Sequence, residues 1–540
     1  MAKMKPPEIA TLSSAQLEQL LLELKTLLPP QTYQLVESLL RTLQWLLGVI
    51  EQKTASLRRL RRILFADKTE KAINLFGKDQ NPTSAAPQTP SQSEGKAKRK
   101  GHGRKGAKDY SGAKRVWVKH LLHCVGGLCP KCLKGKLYQL KVPARVVRIV
   151  AQPMFSAIIH ELERLRCALC GAVFTAQAPA EAGLTKHDPS VGIMLAIMRY
   201  GAGFPMYRMA KWQTFFGVPL PASTQWKLIA ESSETPALVF EALILTAAQG
   251  QLLHNDDTVM RVQELLNEVA QDGPEAERTG IFTSCILAQV DQVQIALFFT
   301  GHEHAGENLA RVLQLRNKEL GKPLQMSDGL SRNDPKVVET DKSNCLIHGR
   351  RHFVDQIENF PEECRQVIQS IGQIYHHDDQ AKELHLTDIQ RLAYHQEHSG
   401  PVMAQLKTWM QEQIDQKRVE PNSGLGQAIA YMLKHWKPLT RFLEVAGAPL
   451  DNNICERALK TAIMHRKNSM SYKTKTGARI GDIFMSLLHT CQLNGINPFV
   501  YLMALLENAA QVAKDPMDWL PWTYRQTLER SQRSEPANTS

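Results

Sequence analysis

Beyond a Pro29-Pro30 break, apolar residues recur on a seven-residue period at Val36, Leu43, Ile50, Leu57 and Leu64. Leu39, Leu46 and Leu60 fill the companion positions three residues later, with Lys53 the one polar member. Apolar a and d positions over four heptads predict a coiled coil. A lone helix has no neighbour for such a stripe, so residues 1–76 are expected to form a leucine-zipper-like oligomerisation region; the alternative is a helix packed on its own chain. The pattern then stops. Residues 77–114 are rich in Pro, Ser, Gln, Gly and Lys and cannot bury a core. They carry the basic run GKAKRKGHGRKGAK (Gly95 to Lys108), which reads as a flexible linker able to grip phosphates or merely to solubilise.

Periodicity returns at residue 115. A compact segment, 115–180, contains the strand-like runs VPARVVRIVA and FSAIIHELERLRC. From 181 to 250 the pattern is helical, with Tyr207–Phe216 and Ser223–Ser232 predicted as two helices joined by Gly217-Val218-Pro219-Leu220. That short turn fits either a helix-turn-helix or a helical hairpin that serves packing. From 251 the order is mixed. Gln251–Met260, Gly280–Leu287 and Val293–Thr300 read as three strands, Gly306–Asn317 as a helix and Pro323–Ser327 as another strand. This is the element order of a ribonuclease-H-like α/β core, taken as 251–480 with a helical insertion at about 360–440. A helical region and tail occupy 481–540. The fold class expected is multidomain α+β.

Composition narrows the function. The 540 residues carry 66 Lys or Arg against 53 Asp or Glu, a formal charge of +13, which points to a polyanionic partner. At 43% hydrophobic and 22% charged, wholesale disorder is excluded. No long uncharged apolar run predicts a membrane span, and the opening MAKMKPPEIATLSS has no apolar signal core. A cytoplasmic protein is expected. The ten cysteines include two tight pairs, Cys129-Pro-Lys-Cys132 and Cys167-Ala-Leu-Cys170, separated by 34 residues. Each CxxC presents two thiolates to one ion, and two such knuckles complete a closed tetrahedral zinc site. His120, His123 and Cys124 lie nearby as substitute ligands. A closed four-cysteine site has no open position, so the expected zinc is structural.

Three acidic residues stand at chemically useful places. Asp256 ends the first strand in LLHNDDT, Asp328 follows the fourth in LQMSDG, and Glu456 opens a helix in DNNICERALK. Carboxylates on strand ends and on a facing helix can converge to hold two Mg²⁺ ions, with Mn²⁺ as a substitute. Among 53 acidic residues many triads exist, and local context is what singles these out. His348, Arg350 and Arg351 sit in CLIHGRRHF, while Arg457, Arg466, Lys467 and Asn468 follow Glu456. Acidic ligands interleaved with such cations suit phosphoryl transfer on a nucleic acid, the alternative for each cation being a solvated helix face.

With these motifs in order, the chain resembles the DDE transposases of bacterial insertion sequences, specifically the insertion-sequence-66 type. The resemblance rests on the zipper-like helix, the paired CxxC module, the core motifs HNDDT, SDG and CLIHGRRHF, and LDNNICERALKTAIMHRKN followed by LLHTCQLNGINPFVYL. It implies that Asp256, Asp328 and Glu456 are the metal-binding triad. Asn255 and Asp257 stand where the family usually has Ala and Glu, which makes Asp257 a rival of Asp256. SMSYKTKTG also replaces the usual aromatic run. The implied function is cutting the ends of a mobile element and joining the freed 3′-hydroxyl to target DNA by two-metal phosphoryl transfer. Partners would be element-end and target DNA, a second copy of the chain or a higher oligomer, and accessory proteins of the same element, at the bacterial nucleoid. Two alternatives stand beside it: a non-catalytic zinc-containing DNA-binding protein, and a nuclease that cuts without joining.

Overall fold

A computed structural model describes residues 14–42, 173–273 and 277–534, together with 118, 122, 124–132, 134–140, 154–166, 168 and 170. The heptad positions from Leu43 onward, the linker at 77–114, His120, His123 and Cys167 lie outside the described residues. Of the zipper stripe, Val36 and Leu39 are described. They sit in helical residues 30–42, which follow the helix Ser14–Leu27, and Leu39 is exposed.

The described residues fall into two compact units. The smaller holds those between 118 and Ala178 with Gln213–Pro219. There, strands β1 (Arg164–Arg166) and β2 (Val173–Thr175) pair antiparallel, so the strand predicted over FSAIIHELERLRC is confined to its last residues.

The larger unit is built on a mixed five-stranded sheet. Its strands are β3 (Leu252–Val259), β4 (Phe282–Val290), β5 (Val293–Gly301), β6 (Leu324–Ser327) and β7 (Asp341–Asn344), in the order β5-β4-β3-β6-β7. β5, β4 and β3 are antiparallel neighbours, whereas β3, β6 and β7 run parallel. β4 and β5 are rich in β-branched and aromatic residues and are largely buried, β4 as an inner strand and β5 as an edge covered by helix. Their two-residue turn places Asp291 in the left-handed region (φ 50°). On one face the helix Asn453–Ser469 packs on β3 and β4. On the other lie the helices Glu234–Ala247 and Ala305–Leu313.

The outer edge of β5 is closed by side chains rather than by a strand. From the helix Lys475–Leu493 and its C-cap, Asp482 accepts from the Thr300 N–H (2.8 Å) and Ser486 from Phe298 (2.9 Å). Thr490 accepts from Ala296 (3.1 Å) and Asn494 from Gln294 (3.2 Å). Four helical residues rise about 6.0 Å and two strand residues about 6.7 Å, so every fourth side chain meets every second amide. The device satisfies an edge that would otherwise template pairing with another chain. Ser486→Ala or Thr490→Val leaves a buried amide without its acceptor and should cost about 1–3 kcal/mol of stability in urea denaturation. Losses below about 0.5 kcal/mol for both would show that the ladder contributes nothing.

Between β7 and the Glu456 helix the chain is helical, as predicted. Helices Leu346–Val354, Pro361–Glu383, Asp388–Asp415 and Gly424–Lys434 share a core that includes Phe353, Ile368, Ile371, Met403, Leu406 and Met432. Inside it Asp378 meets Arg391 (2.6 Å), Lys382 (2.6 Å) and His395 (3.2 Å). Burial alone would raise the Asp378 pKa, but these partners hold it well below the usual carboxylate range.

Candidate active site

The strand alternation of β3 decides which carboxylate faces which helix. His254 Nδ1 lies 2.9 Å from Asn452 Oδ1, and Thr258 Oγ1 accepts from Arg466 at 3.3 Å. The side chains of 254, 256 and 258 therefore face the Glu456 helix. Asn255 instead donates to the Asn333 carbonyl (2.8 Å) on the opposite side. Asp257 joins it there, with Oδ2 2.8 Å from His304 Nδ1 and Oδ1 3.5 Å from Arg332. Asp256 and Asp257 are thus adjacent in sequence and on opposite faces.

Asp256 is the most perturbed acid of this region. Burial pushes its pKa up to about 7, and the charge of Asp328 adds to this, followed by those of Asp257 and Glu456. The Asp257 N–H, donated to Asp256 Oδ1 at 2.8 Å, acts in the other direction. Asp256 on its strand thus feels carboxylates from a post-strand loop and a helix start, although the three are not gathered as tightly as a single-ion trio among the described residues.

Asp328 is held by its own loop. Its Oδ1 accepts from the Leu330 N–H (3.0 Å) and from Asn333 Nδ2 (2.6 Å), and its carbonyl accepts from the Tyr431 hydroxyl (3.0 Å). Gly329 takes φ +79°, and a Cβ there would stand 2.7 Å from Asn344 Nδ2. Gly329→Ala should therefore cost about 1–2 kcal/mol in thermal unfolding and shift the Asp328 loop. An unchanged melting temperature would show that the turn has slack.

Glu456 lies in the first turn of the helix Asn453–Ser469, whose start is clamped to β3 by the residue before it. Asn452 donates through Nδ2 to the Asn255 carbonyl (3.1 Å) and accepts from His254 at Oδ1. The first bond fixes the amide orientation, so His254 carries its proton on Nδ1. Burial pushes the His254 pKa down to about 4, which keeps the ring neutral. The clamp is a positioning device that sequence reasoning missed. His254 appeared there only as a motif letter, and its burial and its pairing with Asn452 left no local signal.

The expected nucleic-acid residues divide. Arg351, Arg457 and Lys467 are exposed, whereas Arg350 is buried. Arg457 and Asn468 lie on one continuous helix, as the eleven-residue spacing requires. Arg466 bonds Thr258 and the Val259 carbonyl, pinning the end of β3. His348, on the helix after β7, lies 3.8 Å from Glu456 Oε1.

In the smaller unit, Cys129-Pro-Lys-Cys132 forms a knuckle. The Cys129 N–H donates to the Gly135 carbonyl (2.7 Å), and the Gly135 N–H points at Cys132 Sγ (3.5 Å). Backbone donors from Gly135 and Lys134 hold the Cys132 thiol below its ordinary pKa, which favours thiolate. Among the described residues Cys129, Cys132 and Cys170 are not drawn into one compact trio.

A family model described as Transposase IS66 family matches residues 187–480, which span every element of this site. The uncharacterized protein y4jD of Sinorhizobium fredii is 25% identical over 386 residues, covering 67% of this chain and 71% of that one. The uncharacterized protein y4hP of the same organism is 24% identical over 399 residues, covering 69% and 68%. Membership of this family makes the chain a DNA-binding, DNA-processing enzyme in general terms, and among the described residues no helix is long and apolar enough to cross a membrane. With more than half of its length matched, the chain belongs to the IS66 family of transposases.

Proposed function

We propose that the protein cuts the ends of an insertion sequence and joins the freed 3′-hydroxyl to target DNA, with Asp256, Asp328 and Glu456 as its DDE triad. The observation that carries this reading is Asp256, half-buried on the face of β3 turned to the Glu456 helix, its pKa pushed up to about 7 by burial and by the Asp328 charge. Such a cluster fits divalent cations, because a cation relieves the like-charge repulsion that the acids otherwise bear. Mg²⁺ or Mn²⁺ bound there would supply the Lewis acidity that activates an attacking hydroxyl and stabilises a leaving oxygen. The strand order β5-β4-β3-β6-β7, three antiparallel then two parallel, supports a ribonuclease-H-like core. Asn452 and His254 orient Glu456, the Asp328 loop bonds orient Asp328, and exposed Arg351, Arg457 and Lys467 offer cations to phosphate oxygens.

The remaining parts take supporting roles. Cys129, Cys132, Cys167 and Cys170 hold a structural zinc, the heptads pair two copies so that two element ends are held together, and the helical insertion reaches DNA or the second copy. The helices Met206–Phe215 and Ala222–Glu231 would form a DNA-contacting helix-turn-helix, the alternative being a hairpin that serves packing. Accessory proteins of the same element and a place at the nucleoid complete the picture. The test is incubation of purified protein with element-end DNA, target DNA and Mg²⁺. Joined products are expected. Cleavage without joining would leave a nuclease, and binding without cleavage would leave a regulator.

A further inference from the structure

Cys345, His348 and Glu456 place one ligand atom each within 4.8 Å of one another, the compact metal-ligating group among the described residues. Cys345 caps the helix Leu346–Val354 and His348 sits in its first turn, so Cys-x-x-His puts both on one side. Glu456 comes from the first turn of a second helix, tied to the first by the Leu346 N–H to Leu450 carbonyl bond (2.9 Å). His348 Nδ1 and Glu456 Oε1, 3.8 Å apart, are both buried atoms with no hydrogen-bond partner. Two unpartnered polar atoms facing one another across more than a hydrogen-bond length are an arrangement that a cation between them would satisfy.

We propose that these three side chains form a site for a thiophilic divalent ion, zinc by class, distinct in chemistry from the all-oxygen Mg²⁺ sites of the triad. Mg²⁺ is a hard ion that takes oxygen ligands, whereas a thiolate with an imidazole selects zinc, cobalt or similar ions. Donor atoms around one tetrahedral zinc stand roughly 3.3–3.8 Å apart, so the group closes on an ion with small side-chain movements. The Cys345 thiol loses its proton to solvent as the metal–sulfur bond forms. Three protein ligands leave a fourth position open. An ion held there takes up Glu456, so the site couples zinc to the availability of one triad carboxylate; in that coupling it rests on the transposase reading.

The test needs no DNA, so its failure and the failure of that reading are separable. Full-length protein freed of metal by chelation, and its Cys345→Ser and His348→Ala variants treated the same way, are titrated with Co²⁺, and the thiolate-to-cobalt absorption of each is followed. The cysteine knuckles are common to all three proteins, so differences report this site alone. The parent should bind one more Co²⁺ per chain with a thiolate band that Cys345→Ser lacks and that excess Mg²⁺ does not abolish. His348→Ala should bind it at least about tenfold more weakly. If burial of Cys345 makes its variant unfold, the partly exposed His348 carries the test. Equal Co²⁺ affinity and equal absorption in the parent and His348→Ala would overturn the site.

Discussion

Asp256→Asn, Asp328→Asn and Glu456→Gln should each lower Mg²⁺-dependent nicking by on the order of a thousandfold or more, while DNA binding stays intact or tightens slightly. An amide keeps the size of the carboxylate but not the charge that holds a divalent ion, and the variant site repels phosphate less. The discriminating comparison is with Asp257→Asn. Asp257 is bound to His304 and lies beside Arg332 on the other face of β3, so its loss should disturb stability more than cleavage. Nicking by all four variants decides the matter. Activity lost in Asp257→Asn but kept in Asp256→Asn would mean the wrong aspartate, and activity kept in Glu456→Gln would break the transposase reading itself.

The legible parts of this molecule are those where local chemistry and tertiary role coincide. β3, β4, β5 and β6 are predicted to within a few residues because their apolar runs are also where the sheet is buried. β7 is given no bounds, only a strand-to-helix junction at Cys345–Phe353. Its sequence, Asp-Lys-Ser-Asn, has no apolar signal, and the strand exists because β6 offers it a parallel partner. The edge ladder was hidden for a related reason. Asp482, Ser486, Thr490 and Asn494 read as ordinary polar helix positions, and only a strand lying alongside gives their four-residue spacing a meaning. At the site, the three acids were visible as motif letters, and the opposite facing of Asp256 and Asp257 followed from strand alternation. Which neighbours hold them did not. His254, Asn333 and Tyr431 act across separations of 198, 5 and 103 residues. The longer of those are contacts that no local pattern encodes.

The buried histidines give the second large expectation, an acid-sensitive core whose sign can be worked out. His465 lies between Tyr200 (centroids 5.8 Å) and Tyr472 (4.4 Å) and is 1% exposed. Burial pushes its pKa down to about 3, with the nearby Arg199 charge adding to the effect. A depressed folded-state pKa means the unfolded chain binds the proton first. The histidine's contribution is therefore fully present above its ordinary pKa of 6.5 and is lost as pH falls toward 3. His254, pushed to about 4, acts in the same direction. Asp256 and Asp482, both raised to about 7, act in the opposite one: they favour the folded state as pH falls from 7 toward 3.8. The parent's own pH profile is thus a sum of opposing slopes and decides little. The difference between His465→Phe and parent isolates the histidine. Phenylalanine keeps a flat ring between the two tyrosines and removes two buried ring nitrogens that have no partner. His465→Phe should match or exceed the parent at pH 7, and its advantage should grow by about 2 kcal/mol between pH 7 and pH 5. Urea denaturation at the two pH values measures it. Parallel behaviour of the two proteins would mean that His465 takes up its proton in the folded state at an ordinary pH, and that the ring is not sealed from water as the structure has it.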